Sequence, residues 1–209
     1  MVVMATSYHR LKTIFVFMNL IYLLLIACIV FKIVYSLPNQ NIESAQTYER
    51  ERSIYSLLRS TGISIGQAMD IADTVVQQSR NLNLPLSLIM AVMKKESLFD
   101  PSAISRMGAI GIMQIHPPTW NEFTKKLGLN ISLKAASDPV VNIVIGTNIL
   151  KSLFELYRGR YSSPVEIERR VLAAYRDGIA SVSKTGVGKH HAKYISDIKK
   201  FRDEFRWLD

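Results

Sequence analysis

The sequence predicts an all-α domain carried behind an N-terminal transmembrane helix. Three observations point there. An apolar run of about twenty residues, long enough to cross a bilayer as a helix, lies close to the N-terminus. Later segments repeat apolar residues at helical spacing behind Ser or Asp caps. No stretch alternates apolar and polar residues for long, so the piece around 108–115 adds at most a minor β or irregular element.

The apolar run extends from Ile14 to Phe31, interrupted only by Asn19, and is followed by Lys32. Arg10 and Lys12 precede it, which predicts a cytoplasmic stub and an exported remainder. A cleavable signal would end best at Val34-Tyr35-Ser36, a poor site so close behind Lys32. Leu25-Ile26-Ala27-Cys28 resembles a lipobox, so acylation at Cys28 is the alternative to an anchor. Ile29-Val30-Phe31 continues the run past that cysteine, however, and an uncleaved anchor uses the whole of it. Residues 1–36 are therefore read as stub and anchor, 37–50 as a linker containing Pro38, and 51–209 as the exported domain.

Within the domain, Ser64-Ile65-Gly66-Gln67 is a capping-box pattern. Ile65, Ala68, Met69, Ala72, Val75 and Val76 follow as an apolar stripe. Pro85 suits the first turn of a second helix running through Leu88, Ala91, Val92 and Lys95 to Glu96. Asp138-Pro139 opens a third, with Ile143, Gly146, Ile149, Leu150 and Leu153 on one side. Ser163-Pro164-Val165-Glu166 caps a fourth that reaches Tyr175, with Gly178 near its end. A last helix spans from near His190 to near Trp207.

A single cysteine excludes an internal disulfide and a cysteine-rich metal site. The net charge of +9 suits a polyanionic partner, but the basic residues are dispersed and export argues against nucleic acid. His116, His190 and His191, an adjacent pair and one distant residue, read as solvated surface, so no metal or other cofactor is expected.

Glu96 is the first residue that suggests chemistry. It follows Leu88 and Val92 by eight and four positions, on the face those side chains bury. Burial disfavours ionisation and raises a carboxyl pKa, which suits a proton donor. The rival reading is an exposed helix-end acid beside Lys94 and Lys95.

Its surroundings favour chemistry. Glu96-Ser97, then Asp100-Pro101-Ser102-Ala103, then Gly108-Ala109-Ile110-Gly111-Ile112-Met113-Gln114 and finally Ala174-Tyr175-Arg176-Asp177-Gly178 follow in order. Together they resemble the core of lytic transglycosylases with a goose-type-lysozyme-like domain, over about 84–198. That family pairs Glu-Ser at a helix end with a Gly-x-Met-Gln loop and an Ala-Tyr-Asn-x-Gly element. Asp138-Pro139 with Asn142 and Gly146 is similar to its intervening helix, and Tyr194 looks like a tyrosine of its final helix. Arg176 departs from the family's Asn.

The resemblance implies a lysozyme-like domain. The apolar run and its flanking basic residues place it, as an expectation, in the cell envelope, held at the inner membrane with its catalytic part in the periplasm, or as a lipoprotein acylated at Cys28. The resemblance also implies peptidoglycan glycan strands as substrate, for general turnover or for a secretion or conjugation apparatus. Breaking a glycosidic bond requires a proton for the leaving oxygen and a stabilised oxocarbenium-like transition state. Glu96 can supply the proton. Hydrolases add a second carboxylate, and none of Asp100, Glu122, Asp138 and Asp177 sits in a motif marking it as one. The resemblance implies that the C6 hydroxyl of N-acetylmuramic acid attacks its own C1 instead, leaving a 1,6-anhydro end. A hydrolytic muramidase and a catalytically silent peptidoglycan-binding scaffold are the alternatives.

The substrate-contact expectations are these. Ser97 bonds Glu96 or the substrate, or is merely a helix-end hydroxyl. Gly108 and Gly111 let backbone approach the sugar. Met113 forms an apolar wall of the cleft or packs in the core, and Gln114 offers a two-way hydrogen-bonding group. Tyr175 reaches Glu96 or packs in the core, and Tyr194 completes the site. Arg176, if close, depresses the pKa of Glu96.

Overall fold

The computed structural model describes residues 2–209, with side chains described for 17–32 and 43–209. Arg10, Lys12 and the Val34-Tyr35-Ser36 site fall outside those side chains. The chain divides into two compact units, Met1–Glu49 and Arg50–Asp209.

The first unit is helical and belongs to α1 (Val2–Ser60). Its stretch Phe17–Lys32 is apolar, and side chains such as Leu23, Leu24 and Phe31 are exposed. The expected linker at 37–50 is helical backbone as well. Its second half, Glu43 to Arg50, is dominated by Glu, Ala, Gln and Arg, residues that favour helix.

The second unit holds seven further α-helices among the described residues: α2 (Ile65–Leu82), α3 (Leu86–Ser97), α4 (Pro117–Lys126), α5 (Pro139–Arg158), α6 (Pro164–Asp177), α7 (Ile179–Thr185) and α8 (Ala192–Glu204). Three of them start at local caps that the sequence announces. Ser64 Oγ accepts from Gln67 N at 3.4 Å, Asp138 Oδ1 from Val141 N at 3.1 Å, and Ser163 Oγ from Glu166 N at 3.4 Å. Among the described residues there is no strand. The expected irregular element is a looped segment with isolated antiparallel bridges, Ile104 to Ile110 and Ile110 to Ile115.

α3 is the centre of the core. Every residue from Leu86 to Met93 is buried, so this helix is enclosed on all sides rather than along one stripe. It packs on α8, while α2 and α6 pack on α5. α5 is the one described helix long and apolar enough to cross a membrane, and most of it is buried inside this unit. The α2 stripe is narrower than expected: Ala68, Ala72, Val75 and Val76 are buried, but Ile65 and Met69 are exposed. Both precede the buried residues by less than a full turn and lie on the rim of the face.

The N-terminus of α3 has no local side-chain cap, because Pro85 occupies that position. Asp209 supplies it from 122 positions away: its carboxylate accepts Ser87 N at 2.9 Å and Ser87 Oγ at 2.6 Å. A carboxylate there also opposes the positive end of the helix dipole.

Candidate active site

Glu96 sits one turn beyond the last enclosed residue of α3, at the point where the helix leaves the core. The chain then turns sharply through Leu98 and Phe99, both in the left-handed region at φ 55° and 69°. Phe99 is buried and meets Phe205 edge-to-face at 6.2 Å, which holds the turn. Glu96 is thereby left half-buried at the mouth of a cavity of about 360 Å³, lined by Lys95, Glu96, Arg176, His190, Lys193 and Tyr194.

Burial pushes the Glu96 carboxyl above its ordinary value. Three smaller effects oppose it: a hydrogen bond from the Tyr194 hydroxyl to Oε1, then the charges of Lys95 and Arg176. Burial and the Glu96 charge in turn hold the hydroxyls of Tyr175 and Tyr194 well above the usual phenol range, so both keep their protons. No carboxylate figures among the charges acting on Glu96, and it is the only carboxylate lining this cavity.

The expected contacts of Tyr175 and Tyr194 fall differently. Tyr194 carries the hydrogen bond to Glu96. Tyr175 donates to the backbone carbonyl of Met113 at 2.9 Å. Met113, expected as a cleft wall, is fully buried against Gly146, where even a Cβ would meet its sulfur. The small residue on α5 opens the space that draws the Met side chain into the core.

Ser97 likewise faces inward. Its Oγ lies 2.8 Å from Ile112 O and 3.2 Å from Met93 O, tying the end of α3 to the glycine-rich loop. Gln114, at φ 49°, donates through Nε2 to Ala103 O at 2.9 Å and Gly111 O at 3.0 Å, both within the loop.

The residue that organises this loop is Asn142 of α5, fully buried and fully used. Its Nδ2 donates to Ile110 O at 3.0 Å and Ala136 O at 2.8 Å, and its Oδ1 accepts Met113 N at 2.8 Å. Gly111 lies against it at φ 85°; a Cβ there would collide with the Asn142 amide and Ala136 O. Gly108, at φ 80°, stands in open space. Three helices thus hang the loop by its backbone, through Ser97, Asn142 and Tyr175. Its tip stays outside, with Ile104 and Met107 exposed.

Arg176 is exposed and close to Glu96, as the sequence allowed. Its Nη1 donates to His190 O at 2.8 Å, its Nε faces Asp177 Oδ1 at 3.4 Å, and its guanidinium lies 5.6 Å from the Tyr194 ring centre. The histidines correct an expectation: His191 is fully buried, and Asp177, His190 and His191 bring their ligand-type atoms within 4.8 Å of one another. Gly188 N donates to His191 Nδ1 at 3.1 Å. With Nδ1 accepting, the ring proton belongs on Nε2, which lies 3.0 Å from Asp177 Oδ2 without making a hydrogen bond to it. A metal at Nε2 would have to displace that proton, and the Gly188 N–H already occupies Nδ1, so both ring nitrogens of His191 are poorly disposed for a metal.

A second groove, of about 630 Å³, lies on the other side of Arg176 between α4, α5 and α6, with Phe123, Leu153, Tyr175 and Glu122 among its lining residues. α4, for which the sequence reading named no helix, starts with Pro117 at its first position and seats Trp120 in the core.

Comparison with known proteins yields one family and a set of related structures. The family model described as "Transglycosylase SLT domain" matches residues 73–198, more than half of the chain. An inactive mutant of the lytic transglycosylase Slt from Pseudomonas aeruginosa superposes with a TM-score of 0.54 at 24% identity, covering 73% of this chain and 28% of that one. The 70-kDa soluble lytic transglycosylase from Escherichia coli gives 0.58 at 18% identity, over 78% of this chain and 30% of its own. A complex of the 70-kDa soluble lytic transglycosylase with bulgecin A gives 0.58 at 19% identity, over the same shares. The likeness establishes the fold, and this chain spans less than a third of the length of those proteins.

Proposed function

Because this chain belongs to the Transglycosylase SLT domain family, we propose that it is a peptidoglycan lytic transglycosylase in which Glu96 acts first as acid and then as base. The observation that carries this reading is the setting of Glu96: the lone carboxylate of its cavity, pushed toward its protonated form and hydrogen-bonded to Tyr194.

The reaction follows from that setting. Protonated Glu96 gives its proton to the oxygen linking N-acetylmuramic acid C1 to the next N-acetylglucosamine, and the C1–O bond breaks with its electron pair on the departing oxygen. Positive charge spreads over C1 and the ring oxygen, beside the carboxylate just formed. The muramyl C6 hydroxyl then bonds to C1, and its proton returns to Glu96. No water is consumed and Glu96 ends as it began. One carboxylate suffices because the attacking group is already held within the sugar. Burial favours the first role, while the Tyr194 hydroxyl stabilises the charge between the two steps.

The test is digestion of purified peptidoglycan by the full chain in detergent, with mass spectrometry of the products. Muramyl ends lacking one water relative to the reducing sugar support the reading. Ends that have gained water assign a hydrolytic muramidase, and no cleavage assigns a binding scaffold.

We also infer that the apolar helix Phe17–Lys32 anchors the chain in the inner membrane, with Arg50–Asp209 in the periplasm. The basic residues before the apolar run and its exposed apolar side chains support this; acylation at Cys28 is the alternative. Placed there, the enzyme would open the wall for turnover or for an envelope-spanning secretion or conjugation apparatus.

A further inference from the structure

The cavity at Glu96 has a charge balance that proton transfer to a sugar does not call for. Of its six lining residues, three are the basic side chains of Lys95, Arg176 and Lys193, and another is His190. Glu96 is the only acid among them, and it is held toward its neutral form. Two further acids stand behind the lining: Asp197 pairs with Lys95 at 2.6 Å and Lys193 at 3.3 Å, and Asp177 faces Arg176 at 3.4 Å and His190 at 3.2 Å.

Those acids position the cations without filling the cavity. Lys193 remains almost fully exposed, and its contact with Asp197 is a long one at the surface. Arg176 is fixed by the His190 carbonyl and by the Tyr194 ring beneath it. A guanidinium has five N–H donors; one is given to the His190 carbonyl and its Nε faces Asp177 at 3.4 Å, so the Nη2 side remains for a ligand. A planar anion is the matching group, since Arg binds a carboxylate through two parallel hydrogen bonds. An Asn at this position could not do so.

Peptidoglycan carries such a group close by. The muramyl ring bears its lactyl-linked peptide on C3, two ring carbons from the C1 that reacts, and that peptide contains free carboxylates. We propose that Arg176, with Lys193 beside it, forms a subsite for a carboxylate of the acidic peptide attached to the muramyl residue. The enzyme would thereby select glycan strands that still carry their peptides. This assignment rests on the peptidoglycan-cleaving reading of Glu96. A carboxylate beside the muramyl ring could also be the bare lactyl group of a strand whose peptide has been removed, so the test separates the two.

The full chain is assayed on three soluble strand preparations: acidic peptides intact, the same peptides with their carboxylates amidated, and strands stripped of peptide by an amidase. The expected result for the wild type is a preference of about tenfold in kcat/KM for the acidic over the amidated strands, expressed in KM, as one charged hydrogen-bonded contact warrants. In Arg176→Asn that preference falls to about twofold or less, and Lys193→Glu, a change at an exposed side chain, lowers it in the same direction. A wild type without preference overturns the subsite, as does an Arg176→Asn variant that keeps it. Highest activity on stripped strands assigns the anion to the lactyl group and overturns the peptide assignment. Cleavage of all three strands at equal rates removes the subsite alone, whereas cleavage of none by the wild type removes the enzymatic reading itself.

Discussion

The Tyr194 hydroxyl donates a hydrogen bond to Glu96 Oε1, joining α8 to the end of α3 across 98 positions of the chain. The donor is a phenol held far above its usual pKa, and the acceptor is a carboxyl raised by burial. The pair behaves as one unit: the tyrosine does not ionise, so its hydroxyl always stabilises the charged form of Glu96.

Removing that donor has a predictable sign. Tyr194→Phe leaves burial in place and deletes the largest effect lowering the Glu96 pKa, so that pKa rises further. The alkaline limb of the pH–rate profile moves to higher pH, and kcat falls by about tenfold, the size of one charge-assisted hydrogen bond. Steady-state rates on solubilised glycan strands across the pH range measure both.

On the proposed mechanism Glu96→Gln removes the proton donor, and strand cleavage falls by about 10³-fold or more. Stability moves the other way. A carboxyl whose folded pKa is raised binds extra protons in the folded state, so stability declines as pH climbs from the ordinary value through the raised one. Glutamine escapes that decline. The variant therefore melts about 2–4 °C higher than the wild type at pH 7, and the gap closes below the ordinary carboxyl value of 4.5. Thermal melts at the two pH values measure it; equal gaps would count against a raised Glu96.

The two loop glycines separate strain from collision. Gly108→Ala meets open space and carries only the left-handed backbone penalty, about 1–2 kcal/mol. Gly111→Ala adds collision with the Asn142 amide and Ala136 O, for a total loss of about 3–4 kcal/mol. Chemical denaturation of the two variants should rank them in that order.

Asn142→Ala removes a buried amide that makes three hydrogen bonds and leaves Met113 N and two carbonyls without it. The expected loss is about 3 kcal/mol. Activity should fall as well, since the same loop adjoins Ser97 at the helix end that carries Glu96. Asn142→Asp restores only the acceptor half and should recover little.

The anchor has its own discriminating experiment. An uncleaved helix keeps the full chain, and its Cys28→Ala variant, in the carbonate-resistant membrane fraction. Loss of membrane retention or of lipid labelling in Cys28→Ala would instead identify a lipoprotein.

How much of this the sequence revealed depends on the range of each cause. Caps at Ser64, Asp138 and Ser163 are contacts within three residues, so their helices could be read directly. The cap of α3 comes from Asp209, and no window of sequence holds both partners. Helical periodicity alone leaves Glu96 readable as a helix-end acid. It could be identified because Ser97, Gly111 to Gln114 and Ala174-Tyr175 follow it in the order of the family it resembles. Which tyrosine meets it could not, because Tyr175 and Tyr194 stand on different helices and only packing decides. Met113 illustrates the same limit: its inward turn depends on the missing side chain of Gly146, 33 positions later. His191 looks solvated in the sequence because nothing local signals that α6 supplies Asp177 beside it.

Ser97, Asn142 and Tyr175 grip the glycine-rich loop by its backbone carbonyl and amide groups rather than by its side chains. The shape of the loop is therefore largely indifferent to what Ile104, Arg106 and Met107 display at its tip. Those three positions can be randomised in a library while the frame stays in place, which makes the loop a ready site for changing what this domain engages.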